Sequence, residues 1–141
     1  MRLFFCSLFI FIFLFLTSLS QNNIPIEIIK IYDGDTIRAK LKNGNEFNIR
    51  LVGLDCYETS KIHRAYKQAY IDKLDINDVI DKGLKAKEYL KELNKKEKDV
   101  SFLFMGLDKY NRVLGVLYFN NVNINQKLVN ENYCGVYEFR E

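Results

Sequence analysis

Residues 24–54, IPIEIIKIYDGDTIRAKLKNGNEFNIRLVGL, decide the fold of this chain. Isoleucine recurs through residues 24–32, and apolar side chains alternate with polar ones in residues 36–41 and 46–54, as is typical of half-buried strands. The pairs Asp-Gly and Asn-Gly, which favour tight turns between antiparallel strands, separate the three runs. The stretch therefore predicts three consecutive strands joined by two hairpins.

The sequence after this stretch contains two helical patterns and two further extended patterns. Residues 83–96 have leucines at helical spacing, residues 100–105 and 112–119 have the pattern of strands, and residues 122–132 predict a second helix. The element order βββαββα predicts an α+β domain built on a five-stranded barrel, with helices after the third and the fifth strand.

The first twenty residues have the composition of a secretory signal. A positive charge at Arg2 precedes the almost unbroken apolar run of residues 3–16, and residues 17–20 contain small side chains at the spacing that a signal peptidase needs before Gln21. The alternative is an uncleaved membrane anchor, for which residues 3–19 are at the short edge of the required length. We therefore expect a signal peptide over residues 1–20 and a mature domain over residues 21–141. The protein would then be periplasmic or secreted, and would touch a membrane only if the signal stayed uncleaved.

The composition of the 141 residues is that of one ordinary globular domain. Because 48% of the residues are hydrophobic and 28% are charged, disordered, collagen-like and coiled-coil proteins are excluded. The single histidine excludes a histidine-based zinc site, and the sequence has no CxxC, phosphate-loop or GxSxG motif. Basic residues outnumber acidic ones in residues 59–98. This excess could attract a polyanion, although a solvated helix face is the more common reason for such a pattern.

Carboxylates cluster where the predicted strands end. Asp33 and Asp35 lie in the first turn, and Asp55 and Glu58 follow the third strand. In a three-strand meander the first turn and the end of the third strand lie at the same end of the sheet, so Asp35 and Asp55 can converge. Two carboxylates beside a backbone carbonyl are the hard oxygen ligands that Ca²⁺ prefers. Asp33 taken alone is explained by ordinary turn chemistry.

Two arginines lie near the same elements. Arg50 alternates with Ile49 and Leu51, so we predict that it points away from the apolar face of the third strand. Arg112 opens the fifth strand after a polar loop. The planar guanidinium fork matches the paired oxygens of a phosphodiester, although either arginine taken singly is also compatible with an ordinary exposed side chain.

Three motifs, IYDGDTI, RLVGLDCYET and DKYNRVLG, occur in this order and together resemble the staphylococcal nuclease family across residues 24–137. The resemblance implies a five-stranded barrel of the oligonucleotide/oligosaccharide-binding (OB) fold with helices. It also implies Ca²⁺-dependent hydrolysis of DNA and RNA that leaves 3′-phosphates. Residues 59–82 are longer than the corresponding loop of the staphylococcal enzyme, so the mouth of the site is expected to differ.

The resemblance assigns a metal site and a base to the first two motifs. By motif position, Asp35, Asp55 and the backbone carbonyl of Cys56 resemble the metal ligands of the family. Glu58 resembles the residue that orders or deprotonates the attacking water. The family often has Thr-Pro or Ala-Pro between this aspartate and this glutamate, whereas here Cys56-Tyr57 stands there. Because the implied ligand is a main-chain carbonyl, the replacement is expected to leave it in place.

The resemblance assigns substrate contacts to the remaining motif residues. Arg50 and Arg112 resemble the phosphate clamps and are counted with Glu58 as catalytic residues. Lys109 and Tyr110 resemble the residues that hold a terminal phosphate and stack on a nucleotide.

The two cysteines of the expected mature chain, Cys56 and Cys134, are predicted to pair. Exported thiols tend to form disulfides, and the resemblance implies that the stretch after the last helix returns beside the end of the third strand. The alternative is two buried cysteines in reduced form.

The sequence as a whole thus predicts a monomeric nuclease with Ca²⁺ as cofactor, DNA and RNA as substrates, and no obligate protein partner. The alternative is a non-catalytic nucleic-acid-binding protein of the OB fold. Degenerate members of such folds lose the acids and arginines first, and here Asp35, Asp55, Glu58, Arg50 and Arg112 are all present. Their presence favours the enzyme.

Overall fold

The computed structural model describes residues 22–137 of the chain. The predicted signal peptide, residues 1–20, lies outside this range, so its cleavage and the export of the protein stay predictions from the sequence. Among residues 22–137, no helix combines the length and the apolar composition that crossing a membrane requires.

Nine strands and three helices follow one another along the described residues. The strands are β1 (Ile24–Pro25), β2 (Glu27–Ile31), β3 (Thr36–Lys40), β4 (Glu46–Leu51), β5 (Leu54–Asp55), β6 (Val100–Leu107), β7 (Val113–Phe119), β8 (Val122–Asn123) and β9 (Gly135–Val136). The helices are α1 (His63–Asp72), α2 (Ile76–Lys96) and α3 (Ile124–Asn130).

Seven of the strands form one mixed sheet in the order β1-β6-β7-β4-β3-β2, with β8 added to β7. The predicted meander is β2, β3 and β4, which pair antiparallel. The centre of the sheet is a parallel pairing of β4 with β7, in which Arg50 lies opposite Leu114. β5 and β9 form a separate antiparallel pair beside the sheet.

The predicted α+β class is confirmed, whereas the count of five strands in a closed barrel is not. The five predicted strands correspond to β2, β3, β4, β6 and β7, and four two-residue strands add to them. Within the described residues, the hydrogen-bonded path runs from β1 to β2 without closing into a ring. Two-residue strands are fixed by distant partners, so alternation within a short window of sequence does not reveal them.

The helical region before β6 is longer than the sequence indicated. The pattern predicted a single helix over residues 83–96, but α2 begins at Ile76, and α1 precedes it. Asp75 caps α2, because its carboxylate accepts a hydrogen bond of 2.7 Å from the backbone N–H of Asn77. Gly83 suggests a helix boundary by its low propensity, but it lies inside α2 at a point of close tertiary contact.

The main core lies between one face of the sheet and the helices α2 and α3. Its fully buried side chains are aliphatic and come from the sheet, from β5 and from both helices; they include Ile37, Ile49, Leu51, Leu54, Leu90, Leu117, Ile124 and Leu128. Burial of each such side chain stabilises the fold by roughly 1.5–3 kcal/mol. α1 packs separately, since its buried Ala65 and Ala69 meet Val79 of α2 in a second small cluster.

One buried polar residue, Asn125 of α3, ties the end of β4 to β7. Its side-chain oxygen accepts a hydrogen bond from the N–H of Leu117 at 3.0 Å, and its amide nitrogen donates to the carbonyls of Val52 and Gly115 at 2.9 and 3.1 Å. A buried amide with all these partners satisfied fixes one arrangement of the strands around it. Asn125 therefore fixes the position of Val52, the residue at which the chain leaves β4.

Candidate active site

The turn between β2 and β3 brings Asp35 against the chain that leaves β4. The carboxylate of Asp33 accepts a hydrogen bond from the N–H of Asp35 at 3.0 Å, which shapes the turn. The carbonyl of Asp35 accepts from the N–H of Leu51 at 2.8 Å, and its carboxylate accepts from the N–H of Cys56 at 2.7 Å. Only 3% of Asp35 is exposed, so this carboxylate is a fixed part of the site.

Arg50 occupies the centre of the site on β4. Its strand neighbours Ile49 and Leu51 are buried in the core, so Arg50 points to the opposite face, as the alternation predicted. Its guanidinium forms an ion pair with Asp35 and lies 3.5 Å from the carboxylate of Asp55. The structure thus brings Asp35 and Asp55 together around one cation.

Burial governs the ionisation of the groups around Arg50. It lowers the pKa of the Arg50 guanidinium, and the positive charges of Arg64 and Arg112 act in the same direction. Burial also raises the pKa of Asp33, against the opposing effect of Arg50. Positive and negative groups are therefore packed closely enough here for each to alter the proton affinity of the others.

The site segment, residues 55–58, is held by residues far away in the sequence. β5 pairs with β9 through Leu54 with Val136 and Asp55 with Gly135. A disulfide joins Cys56 to Cys134. The two cysteines predicted to pair are thus bonded in the structure, and both are buried.

Glycines allow two elements to approach the site segment closely. A Cβ atom on Gly34, in the turn after β2, would lie 2.7 Å from the sulfur of Cys56. A Cβ atom on Gly83 of α2 would lie 2.2 Å from the carbonyl oxygen of Glu58, a distance that no real contact reaches. α2 therefore supports the backbone of Glu58 directly.

Glu58 is held by two side chains of α1 that the sequence analysis did not assign to the site. Its carboxylate forms an ion pair of 3.2 Å with Nε of Arg64, and its backbone N–H donates to the side-chain oxygen of Gln68 at 3.1 Å. Burial raises the pKa of Glu58, while the charge of Arg64 opposes this shift. The spacing of Arg64, Gln68 and Asp72 in steps of four residues is the signal in the sequence that could have pointed to them.

Arg112 is oriented by the loop that precedes β7. Its Nε donates to the Asp108 carboxylate at 2.7 Å, and the backbone N–H groups of Arg112 and Tyr110 donate to the same carboxylate at 2.9 and 2.8 Å. Burial alone would raise the pKa of Asp108, but these hydrogen bonds from Arg112 and Tyr110 lower it. Asp108 is thus an anion that keeps Arg112 in place.

Lys109 and Tyr110 lie on the exposed tip of this loop. Tyr110 is 67% exposed, and the ammonium of Lys109 lies 5.1 Å from the centre of its ring. Among residues 22–137, no hydrogen bond or ion pair joins Lys109 or Tyr110 to the carboxylates of Asp35, Asp55 or Glu58. The structure therefore places Asp35, Asp55 and Glu58 against Arg50 and Arg64. The predicted substrate contacts, Lys109 and Tyr110, lie apart from these acids on an exposed loop beside Arg112.

The candidate metal ligands are oxygen atoms of the kind that Ca²⁺ binds. In the described part of the chain, no group of three or more His, Cys, Asp or Glu side chains could hold a metal ion. The candidates are therefore two carboxylates, of Asp35 and Asp55, and the carbonyl of Cys56. Both carboxylates already contact the guanidinium of Arg50, so they lie close enough to share a single cation. All three donors are hard oxygens, which are the ligands that Ca²⁺ accepts.

Comparisons with known proteins point to one family. The model of the family described as staphylococcal nuclease homologue matches residues 48–141. The chain is 33% identical over 123 residues to an uncharacterized protein of Methanocaldococcus jannaschii, covering 79% of this chain and 58% of that protein. It is 29% identical over 127 residues to an uncharacterized endonuclease of Haemophilus influenzae, covering 90% of this chain and 60% of that protein. The chain thus spans about three fifths of the length of these curated relatives.

Proposed function

Because the chain belongs to the family of staphylococcal nuclease homologues, we propose that it is a nuclease that hydrolyses the phosphodiester bonds of DNA and RNA and requires Ca²⁺. The relative from Haemophilus influenzae, which is named as an endonuclease, supports this proposal. The observation that carries it is the convergence of Asp35, Arg50 and Asp55 at one end of the sheet.

Arginine side chains would bind the substrate phosphate. Arg50 and Arg112 present planar donors whose fork matches two phosphate oxygens. In the transition state the phosphorus group gains negative charge, and fixed donors that are already oriented stabilise that charge without reorganising. Arg112 is oriented in this way by Asp108, and Arg50 by its position between β3 and β7.

Glu58 would accept the proton of the attacking water. Its carboxylate lies next to Arg64 in the site segment, and burial raises its pKa, which strengthens it as a proton acceptor. Asp35, Asp55 and the carbonyl of Cys56 would hold Ca²⁺. When bound, this ion supplies charge neutralisation and polarisation of the phosphate.

The exposed loop beside Arg112 would extend the contact with substrate. Lys109 offers a cation for a terminal phosphate, and the exposed ring of Tyr110 offers a flat surface on which a base can stack. We also propose 3′-phosphate products, a monomeric protein without an obligate partner, and export after removal of residues 1–20. The disulfide between Cys56 and Cys134 supports export, because such bonds persist in oxidising compartments.

The experiment is a degradation assay on labelled DNA and RNA. Residues 21–141 are produced in oxidised form and assayed with Ca²⁺, and then with a chelator. We expect cutting with Ca²⁺ and none with the chelator, and fragments whose 3′ ends become extendable only after phosphatase treatment.

Two variants connect the activity with the proposed ligands. Asp35→Ala should weaken Ca²⁺ binding and activity together, whereas Asp81→Ala, which removes an exposed aspartate paired with Lys85, should leave both unchanged. If the Ca²⁺ dependence of Asp35→Ala equalled that of the wild type, the ligand assignment would be wrong. Binding of DNA without any cutting would favour the non-catalytic nucleic-acid-binding alternative.

A further inference from the structure

Three polar side chains of α1 point toward the site segment. Arg64, Gln68 and Asp72 follow one another at intervals of four residues, so they form one stripe along the helix. We call these residues the α1 stripe. The neighbouring face of α1 is apolar, because Ala65 and Ala69 pack against α2.

The α1 stripe contacts all four residues of the site segment. Arg64 binds the carboxylate of Asp55 at 2.5 Å, in addition to its ion pair with Glu58. Gln68 donates from its amide to the carbonyl of Cys56 at 3.0 Å, in addition to accepting from the N–H of Glu58.

The end of the stripe completes the set of contacts. The hydroxyl of Tyr57 donates to the carboxylate of Asp72 at 2.7 Å. Residues 56–58 belong to no strand or helix, so regular backbone hydrogen bonds do not fix them. Side chains from α1 therefore supply the constraints that a strand partner supplies elsewhere.

We propose that α1 is part of the active site and that Arg64 and Gln68 are positioning residues of the reaction. Arg64 fixes the carboxylate of Glu58 relative to Asp55, and Gln68 fixes the carbonyl of Cys56 relative to the backbone of Glu58. This inference rests on the proposed nuclease function. The proposed base, Glu58, and two proposed metal ligands, Asp55 and the carbonyl of Cys56, thereby receive a common support. A displacement of any of them by about 1 Å is enough to lower a rate about 10²-fold.

The geometry distinguishes positioning from general attraction of a polyanion. Arg64 bridges two carboxylates with two different nitrogens, Nη2 and Nε, which a lysine ammonium cannot reproduce. The side chain of Arg64 is 44% exposed, so removing it leaves the apolar packing of α1 on α2 intact. Lys67 lies one helical turn further along α1, is exposed and carries the same charge.

The first test compares Arg64→Met with Lys67→Met, which remove the same charge from the same helix. Steady-state kinetics on a short DNA should show kcat at least tenfold lower for Arg64→Met, with KM within about twofold of the wild type. Arg64→Lys should recover part of the loss, and Lys67→Met should keep the kcat of the wild type. Should Arg64→Met fail to fold, Arg64→Lys is compared with Lys67→Arg, which both keep the charge and change only the head group. The kcat should then be lower for Arg64→Lys and unchanged for Lys67→Arg.

The second test does not depend on activity. Amide hydrogen exchange of the metal-free protein should show the N–H of Glu58 exchanging at least tenfold faster in Gln68→Met than in the wild type. Calorimetric titration with Ca²⁺ alone should show a dissociation constant several-fold higher for Gln68→Met. Gln126→Met, which changes an exposed glutamine of α3, is the matched control and should change neither quantity.

The outcomes separate the inference from the function on which it rests. A wild-type protein that cuts neither DNA nor RNA would overturn the proposed function and the inference with it. An active wild type whose kcat is lowered equally, or not at all, by Arg64→Met and Lys67→Met would overturn the inference alone. Unchanged exchange of the Glu58 N–H in Gln68→Met would do the same.

Discussion

The two halves of the candidate site are fixed in different ways. Asp35 and Arg50 lie on or beside strands of the sheet, where the pairing of Thr36 with Arg50 sets their positions by backbone hydrogen bonds. The site segment, residues 55–58, lies outside this sheet and is held by β9, by α1, by Gly83 and by the disulfide. We call Asp35, Arg50 and the strands around them the sheet half, and residues 55–58 the segment half. In the sheet half we expect activity to depend on the functional side chains themselves. In the segment half, residues remote in sequence should affect activity and stability as much.

The largest effect is expected in the sheet half, from Arg50→Lys. The ammonium keeps the charge but loses the planar fork that binds Asp35 and, in the proposed reaction, the substrate phosphate, so kcat should fall about 10²-fold or more. Arg38→Lys is the matched control, because Arg38 lies on β3 and pairs with an exposed carboxylate, that of Glu46. Steady-state kinetics of both variants make the comparison. Equal kcat values for Arg50→Lys and Arg38→Lys would show that charge alone suffices at this position.

Removal of the disulfide tests the segment half at long range. Cys134→Ala should lower the free energy of unfolding by about 2–4 kcal/mol, since the bond closes a loop of 78 residues. Cys56→Ala and the double variant should lose the same amount, because all three changes remove one bond. Denaturant unfolding measures the loss. Alkylation of the denatured, unreduced wild type provides the control, and two labelled thiols there would mean that no bond had formed.

Gly83→Ala tests the segment half through the sign of its effect on the free energy of unfolding. In an unconstrained helix this change stabilises by up to about 1 kcal/mol. Here the new methyl group meets the carbonyl of Glu58, so we expect destabilisation of about 1–3 kcal/mol and lower activity. Asn94→Ala, also inside α2, should be neutral or slightly stabilising. A stabilised Gly83→Ala protein would mean that α2 does not support the site segment.

The smallest effect on stability is expected from Asp108→Asn, in the loop before β7 of the sheet, where Asp108 orients Arg112. The pKa of Asp108 is lowered in the folded protein, so its carboxylate stabilises the fold above the ordinary aspartate pKa of about 3.9. That contribution is lost as the pH falls through the lowered pKa. Unfolding measured at pH 7 and pH 3 should therefore show a smaller advantage of the wild type over Asp108→Asn at pH 3 than at pH 7. A difference that did not shrink between pH 7 and pH 3 would have another cause.

Most of the sheet half could be predicted from the sequence, because strand periodicity is local. The alternation of Ile49, Arg50 and Leu51 predicted that the two apolar side chains face the core and that Arg50 lies on the other face of the sheet. The order of three strands placed Asp35 and Asp55 at one end of the sheet. The closed barrel was the part of this prediction that went too far, since the number of strands depends on short pairings with distant partners.

Little of the segment half could be predicted from the sequence. Arg64 and Gln68 lie in a stretch for which no helix was predicted, and their contacts depend on how α1 packs against α2. Gly83 suggested a helix boundary, although it allows α2 to approach Glu58. The polar Asn125 gave no signal within its helix, although its buried amide joins α3 to β7 and to Val52, just beyond β4. Each of these roles arises from tertiary contacts that no local pattern encodes.

The pairing of β5 with β9 has a consequence for the order in which the protein is made. Synthesis proceeds from the N-terminus, so β9 and Cys134 leave the ribosome late. The carboxylates of Asp35 and Asp55 and the two arginines, Arg50 and Arg112, emerge before them. A chain interrupted after α3 would carry every catalytic residue predicted from the sequence, but would lack the cross-link and the strand that fix Asp55 and Cys56. Under the proposed nuclease function, we therefore expect a nascent or truncated chain to be harmless to the nucleic acids of the cell that produces it, because cutting would begin only once residues 134–136 have emerged and folded back.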